Sequence, residues 1–485
     1  MRRIDGGTRS HRFLGHPPGL GVIAVAQGAW YFTRYGAQSI MVLYLAHVLF
    51  NAAAHPVVLG GTGLRHLLGW EIGAGQGSQV GGQALAAALI GTLAFAAMPV
   101  QILGGLLADR VLGRRWGTAL GLACLTVAPL LWSFDFSFVL GLPFSVCGLA
   151  LANTLNAQVG DLYRPGDERL ADAFQLLALV QDAAVVLGPL VCGGAAAWAG
   201  YHAGFAVAAV VMGTGTLTYL LGWASLPRPA GDDARTARPG PGPGPGPGPG
   251  PGPGANAETE TNWRLLAILA GLVPVLALAQ VGNEQVYDTY ILWGEQHYAR
   301  TLFGLTMPAS WLLSLDAGIS LATQIAGLAF WRAYERRFAA PGEIDQVAMF
   351  SVIAALAPLV LALAAARSPH GPTISLLWGI LFHTINDFAM SAVMPIGMAL
   401  YVRVSPAGLK GTIVAGFALI ARLSDVIAGR LGAMLPDLGS TRFWLAHAAL
   451  IAVAACLLIL AARLFRAELA PAEGTRRTAA QIIEV

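Results

Sequence analysis

Glu284 stands inside a long apolar run, in the segment Gln280-Val281-Gly282-Asn283-Glu284-Gln285-Val286-Tyr287-Asp288. A carboxylate at bilayer depth costs roughly 2.5–3.5 kcal/mol on insertion scales, so it is kept where it faces a wet cavity or a partner. Burial in a partly dry cavity favours the neutral form of any carboxyl, which is the chemistry of a proton carrier. Asp288, one helical turn on, and Asp387 offer the same chemistry. Glu284, Asp387 and Asp288 are therefore the candidates for proton coupling.

Residues three, four or seven apart share a helix face. Gln27, Tyr31, Arg34 and Tyr35 form one polar stripe on that rule, and Asn153 and Asn156 a second. Glu284 and Asp288 form a third, with Gln285 and Tyr287 on adjoining faces; His383, Asn386 and Asp387 form a fourth. Arg34 must meet an anion, since a lone guanidinium in lipid is as costly as a carboxylate. That anion is either a substrate carboxylate held by both guanidinium nitrogens or Glu284 itself; a purely structural ion pair is the plainer reading. His383 has the chemistry of a proton shuttle, or of a core histidine bonded to a carbonyl. The substrate-binding candidates are Arg34, Tyr35, Tyr31, Gln27, Asn153, Asn156, Gln285, His383 and Asn386. Asp182 and Asp425, the latter near Arg422 and Arg430, read as inter-helix hydrogen-bond partners.

The elements that position these residues follow from composition. Of 485 residues, 56% are hydrophobic and 11% charged, against about 25% charged in a soluble domain. A span needs roughly 20 mostly apolar residues. Twelve such runs occur, near 20–48, 80–107, 117–134, 138–160, 171–198, 203–225, 265–293, 309–333, 346–366, 374–402, 411–435 and 443–463. Arginines crowd the N-terminus and the loops after the even-numbered runs, as in Arg110, Arg114 and Arg115 or Arg332, Arg336 and Arg337. Loops after odd-numbered runs hold only Arg65, Arg300, Arg367 and Arg442. By the positive-inside rule both termini are cytoplasmic, in a multi-pass protein of the plasma (inner) membrane. The net charge of +3 is thus topological and does not point to nucleic acid. Trp293 and Trp311 are expected in an interfacial aromatic belt. Cys124, Cys147, Cys192 and Cys456 lie in apolar runs without metal-ligand spacing, so no disulfide, metal or other cofactor is expected.

A Pro-Gly repeat from Pro239 to Gly254, flanked by polar residues, separates six runs from six. Such a segment cannot build a packed core. The expected organisation is a helical bundle over residues 1–225, a cytoplasmic linker over 226–262 and a second bundle with a short cytoplasmic tail over 263–485. A substrate site would lie at midplane between the bundles.

The loop Gly104-Gly105-Leu106-Leu107-Ala108-Asp109-Arg110-Val111-Leu112-Gly113-Arg114-Arg115 resembles the loop signature of the major facilitator superfamily. The resemblance implies an all-α membrane protein with twelve transmembrane helices in two six-helix bundles. It makes Asp109 and Arg110 gating candidates. Further segments resemble the proton-dependent oligopeptide transporter family within that superfamily. They include Gly160-Asp161-Leu162-Tyr163 with Asp172-Ala173-Phe174, the stretch Met307-Pro308 to Ser314-Leu315, and Pro395-Ile396-Gly397 with Val404-Ser405-Pro406. The similarity runs from Gly15-His16-Pro17 to about Gly432. The family's first helix carries Glu-x-x-Glu-Arg-Phe-x-Tyr-Tyr-Gly; here Phe32, Tyr35 and Gly36 match, while Gln27, Trp30 and Tyr31 replace both glutamates and the arginine. The family's helix-four lysine falls on Ala152, its helix-five asparagine on Asp182 and its helix-ten glutamate on Met390, one turn after Asp387. The helix-seven Glu-Gln pair survives as Glu284 and Gln285. In this fold helices one, four, seven and ten line the central cavity, and the four polar stripes fall on them.

The resemblance implies a secondary transporter working by alternating access, with proton-coupled uptake of di- or tripeptides or peptide-like solutes. The rewritten cavity keeps open another small solute with altered or absent proton coupling. A non-transporting receptor or scaffold finds no added soluble domain in its favour. An enzyme finds no Gly-x-Ser-x-Gly, no His-Glu-x-x-His and no Ser-His-Asp arrangement. The expected partners are the bilayer, protons and a small-molecule or short-peptide substrate. Oligomeric state is open, a monomer being compatible.

Overall fold

The computed structural model describes residues 13–51, 57–71, 81–107, 111–152, 155–163, 167, 169–227, 263–302, 304–338, 341–368, 373–405 and 410–469. Asn153, Asp109, Arg110 and the Pro-Gly linker lie outside them.

Among the described residues, twelve helices of 15 residues or more build the molecule. The first six are α1 Pro18–Tyr44, α2 Gly82–Leu107, α3 Arg114–Trp132, α4 Phe138–Ala152, α5 Arg169–Ala199 and α6 Tyr201–Leu221. A short helix, Leu155–Asp161, extends α4. The second six are α7 Trp263–Gln285, α8 Leu312–Glu335, α9 Glu343–Arg367, α10 Leu376–Val404, α11 Lys410–Ala433 and α12 Leu435–Leu464. Among the described residues, nine helical stretches are individually long and apolar enough to cross a membrane. The three others are α1, α3 and α11. Two of them carry the charges of the site described below, and α3 opens on Arg114-Arg115, so polarity lowers their hydropathy.

Large apolar side chains such as Phe95, Trp198, Val210, Leu328, Leu363 and Leu457 are exposed on the outer faces of the helices. In water such a surface would be an aggregation liability; in lipid it is the solvent-facing side. Prolines sit inside seven of the twelve helices, for example Pro99, Pro274 and Pro395. Spanning helices tolerate this because neighbours satisfy the freed carbonyls. Gly200, at φ +87°, turns α5 directly into α6, a left-handed conformation that costs glycine nothing. The all-helical expectation needs one amendment. Tyr298–Ala299 pairs in parallel with Ile374–Ser375, and Thr301–Leu302 antiparallel with Leu305–Thr306, as two-residue ladders.

Small residues set the closest packing within the first bundle. A Cβ on Gly36 of α1 would lie 2.6 Å from Cys192 Sγ and 2.9 Å from the Gly188 carbonyl of α5. Backbone thus meets backbone, the geometry that favours glycine between membrane helices. Gly188→Val is expected to destabilise the protein by about 1–3 kcal/mol, read as a lower thermal-unfolding midpoint in detergent. An unchanged midpoint would refute this packing.

The two bundles meet at one end. Ser314 Oγ donates to the Val186 carbonyl (2.8 Å) and Trp311 Nε1 to the Leu190 carbonyl (3.1 Å), joining α8 to α5. Trp311 is therefore a clasp between bundles, and Trp293 is wholly buried; neither forms the expected belt. Gly91 of α2 and Gly429 of α11 approach so closely that a Cβ on Gly429 would lie 2.7 Å from Gly91 Cα. His47 Nε2 stands 2.6 Å from Glu295 Oε2 at the same rim. The arginine-rich loops are at the opposite end. There Arg114 holds Asp161 with both carboxylate oxygens (2.9 and 3.2 Å). Arg115 donates to the Trp223 carbonyl and lies over the Trp223 ring, 4.5 Å from its centroid.

Candidate functional site

The site is organised by a break. α7 ends at Gln285, residues 286–288 turn, and the chain resumes as the helix Thr289–His297. Asp288 caps that second segment with φ −125° and ψ −114°. It therefore does not continue the helical face of Glu284, as strict periodicity predicted. Its buried carboxylate lies beside Gly432 of α11 instead.

Glu284, 9% exposed, occupies the last intact turn of α7. Gln280, one turn earlier, donates to one of its oxygens. Its carboxyl also lies close enough to that of Asp425 of α11 for the two to interact. Asp425 in turn is held by Arg422, one turn away, at 2.6 Å. The anticipated Arg34–Glu284 pair is not formed. Arg34 faces a cavity, with its charge 5.6 Å from the Tyr35 ring centroid. Among the described residues it has no carboxylate at ion-pair distance; Asp425 and Glu284 act on it only at longer range.

The cavity encloses about 190 Å³ and is bounded by α1, α2, α3, α4 and α11. Its charged lining groups are Arg34, Arg422 and Asp425, and its walls include Trp30, Ile90, Leu93, Leu125 and Trp132. Of the four helices expected to line a central cavity, α1 and α4 border this one. The polar face of α10 points into the second bundle. There His383, fully buried, places Nδ1 2.8 Å from Asp316 Oδ1 of α8, although out of line for a good hydrogen bond. Its Nε2 lies 2.9 Å from the Tyr290 hydroxyl. Asn386 donates to Asn283 Oδ1 (3.1 Å) and to Asp387 Oδ1 (3.0 Å). Asp387 Oδ2 has no protein partner. Asp316, His383 and Asp387 bring three ligand-type atoms within 4.8 Å of one another, a group able to hold a proton or a small cation.

Gln285 is likewise interior. His447 Nδ1 lies 2.9 Å from the Phe443 carbonyl, so it carries the proton and Nε2 must accept. Gln285 therefore presents its amide nitrogen to His447 Nε2 and to the Ala428 carbonyl, both at 3.0 Å, while its oxygen accepts from Thr289 Oγ1 and N at 3.1 Å. Every polar atom is used, as burial demands.

Gln285, His383 and Asn386 are buried within the second bundle and are not among the residues lining this cavity. The stripe on α1 divides. Tyr31 stacks on Tyr35 (6.3 Å), and Tyr35 meets Tyr287 across the bundles (5.7 Å), whereas Arg34 turns into the cavity. Gln27 is 3% exposed and its Oε1 is unpartnered. Asn156 is exposed on the short helix after α4. Asp425 and Arg422 are site residues that sequence reasoning placed among ordinary helix contacts. Their one-turn spacing beside Arg430 was visible; the convergence of α11 on α7 and α1 was not. Asp316 was missed altogether, although a carboxylate within the apolar run of α8 carries the same signal as Glu284.

The long apolar helices and their exposed apolar outer faces are those of a multi-pass membrane protein. Searches of family models find no match. A peptide transporter of Yersinia enterocolitica, YePEPT, is 24% identical over 92% of this chain and 94% of its own length. Two solved structures, a peptide transporter POT in complex with sulfate and the POT family transporter PepTSo, each superpose with a TM-score of 0.74. They are 17% and 15% identical, covering 95% and 93% of this chain and 98% and 99% of theirs. The chain thus shares the fold of these POT family structures and is similar along nearly its whole length to a peptide transporter.

Proposed function

We propose that this chain is a secondary transporter that takes up di- or tripeptides or peptide-like solutes with protons, by alternating access. The full-length likeness to YePEPT and to solved POT structures supports the substrate class. The carboxyl pair at the bundle seam supports the coupling and is the observation that carries it. Two carboxyls at close range in a dry site hold one proton between them more readily than two negative charges. Glu284 and Asp425 are close enough to act on each other, and Arg422 balances the remaining charge. Asp387, with Asp316 and His383, is a second store for a proton within the same bundle; Asp288 lies further along the seam.

The arginine distribution supports an inner-membrane orientation with both termini cytoplasmic. On that orientation the joined end is the outer one, and the structure is closed to the outside. Asp109 and Arg110 belong to the opposite, cytoplasmic loop and are proposed to act when that side closes. Tyr31 and Tyr35, which reach helix seven through Tyr287, and Asn156 are proposed to shape the substrate path.

Purified protein in liposomes tests the reading. Labelled dialanine is expected to accumulate only with an inward-directed proton gradient. Accumulation independent of the gradient would remove the coupling, and no uptake of any peptide or peptide-like solute would remove the function. Asp316→Asn is expected to slow gradient-driven uptake by about tenfold while exchange of labelled for unlabelled substrate persists. Equal loss of both would make Asp316 structural. A second reading, transport of another small solute, is favoured by the replaced first-helix glutamates. A POT family structure in complex with 5-aminolevulinic acid, with a TM-score of 0.71, shows that this fold accommodates such a ligand.

A further inference from the structure

We infer that the cavity beside Arg34 takes a small monocarboxylate with an apolar body and no free ammonium, such as an N-acylated amino acid. The inference rests on the transporter reading and, within it, selects peptide-like solutes over the zwitterionic di- and tripeptides, so that dialanine would be at most a poor substrate.

Charge accounting around the cavity carries the argument. Its charged lining groups are two guanidiniums, Arg34 and Arg422, and one carboxylate, Asp425. Arg422 and Asp425 neutralise each other at 2.6 Å. Arg34 is left with a π face at 5.6 Å and, among the described residues, no ion pair. One positive charge is therefore unmatched in a space walled by Trp30, Trp132, Ile90, Leu93 and Leu125. A buried charge is tolerated when paired, and a guanidinium binds a carboxylate through two parallel hydrogen bonds. The complement is a single negative charge.

A zwitterionic peptide brings an ammonium as well, which needs a free carboxylate. Asp425 is committed to Arg422, and Glu284 accepts a hydrogen bond from Gln280 outside the lining of this cavity. Neutral lining groups remain at Thr33, Gln38 and Ser145. The two hydroxyls already donate to the Ala208 and Leu142 carbonyls and can accept from an amide N–H. Gln38 can donate to an acyl oxygen, and none supplies the negative charge that balances an ammonium. Volume narrows the body further. A cavity of about 150 Å³ holds a benzene ring. The space here, about 190 Å³, is enough for one amino-acid-sized apolar group.

Binding to the intact, detergent-purified protein tests this by thermal shift and isothermal titration. N-acetyl-leucine is expected to bind and to raise the unfolding temperature. N-acetyl-leucinamide, which lacks the charge, and zwitterionic alanyl-leucine are expected to bind at least about tenfold more weakly. Arg34→Gln should abolish the preference for the carboxylate, and Arg34→Lys should retain part of it. The ligand series on the unaltered protein stands even where a variant fails to fold. Failure of N-acetyl-leucine to bind, or equal binding of the amide or the zwitterion, would overturn the inference. Proton-driven uptake of alanyl-leucine with N-acetyl-leucine excluded would overturn it while leaving the transporter reading intact. Binding in the expected order without uptake of any solute would do the reverse.

Discussion

Gly429→Leu is expected to reduce uptake by more than about tenfold without unfolding the protein. At this position α11 touches α2 of the other bundle. An added Cβ would lie 2.7 Å from Gly91 Cα and 2.8 Å from both Gly91 N and the Ala87 carbonyl oxygen. All three are backbone atoms that cannot rotate aside. Overpacking typically costs about 1–3 kcal/mol, enough to shift a two-state equilibrium between roughly fivefold and more than a hundredfold. Here the cost falls only on the arrangement in which this end is shut, because each bundle keeps its own core when they part. The variant should therefore accumulate with that end open. His47→Cys and Glu295→Cys, paired across the rim in a background lacking the four native cysteines, provide the readout. The pair should crosslink in the parent and not in Gly429→Leu. Undiminished crosslinking and uptake would show that the glycine contact is dispensable.

Glu284→Gln is expected to separate substrate movement from the proton gradient. The amide preserves shape and can still bond to Asp425, but it has no proton to release. Gradient-driven accumulation should fall by more than about tenfold, equivalent to at least about 1.4 kcal/mol. Exchange of substrate across the membrane at equal pH should continue. Asp425→Asn, acting on the same shared proton, should give the same separation, and the double variant should add little, as expected for residues that act as a unit. Full accumulation by Glu284→Gln would move the coupling to the Asp316–His383–Asp387 cluster.

The architecture was written plainly in the chain, because each spanning helix must satisfy its own backbone in lipid and so announces itself as an apolar run. The site was only half legible. Glu284 and Arg34 were conspicuous as charges in apolar runs, and the same criterion applied evenly would have found Asp316 and raised Asp425. Periodicity misled at Asp288, since nothing in Gln285-Val286-Tyr287 marks the break in helix seven. It misled again at His383 and Asn386. A polar stripe shows that a face avoids lipid, and a bundle interior satisfies that requirement as well as a cavity does. Which of the two applies depends on helix rotation, which tertiary packing sets.

The break in α7 leaves its second segment carrying a ring cluster. Trp293 stacks on His297 at 4.8 Å and 13°, and meets Trp444 edge-on at 5.4 Å. Glu295, the rim partner of His47, lies between the two stacked residues in sequence. An indole emits according to the polarity and proton-donating power of what it touches, and an adjacent imidazole is an efficient quencher. Any tilt of this segment as the rim parts would alter that stack. The light emitted by Trp293, isolated as the difference between the parent and Trp293→Phe, would then follow the opening of the rim in real time, with no label attached.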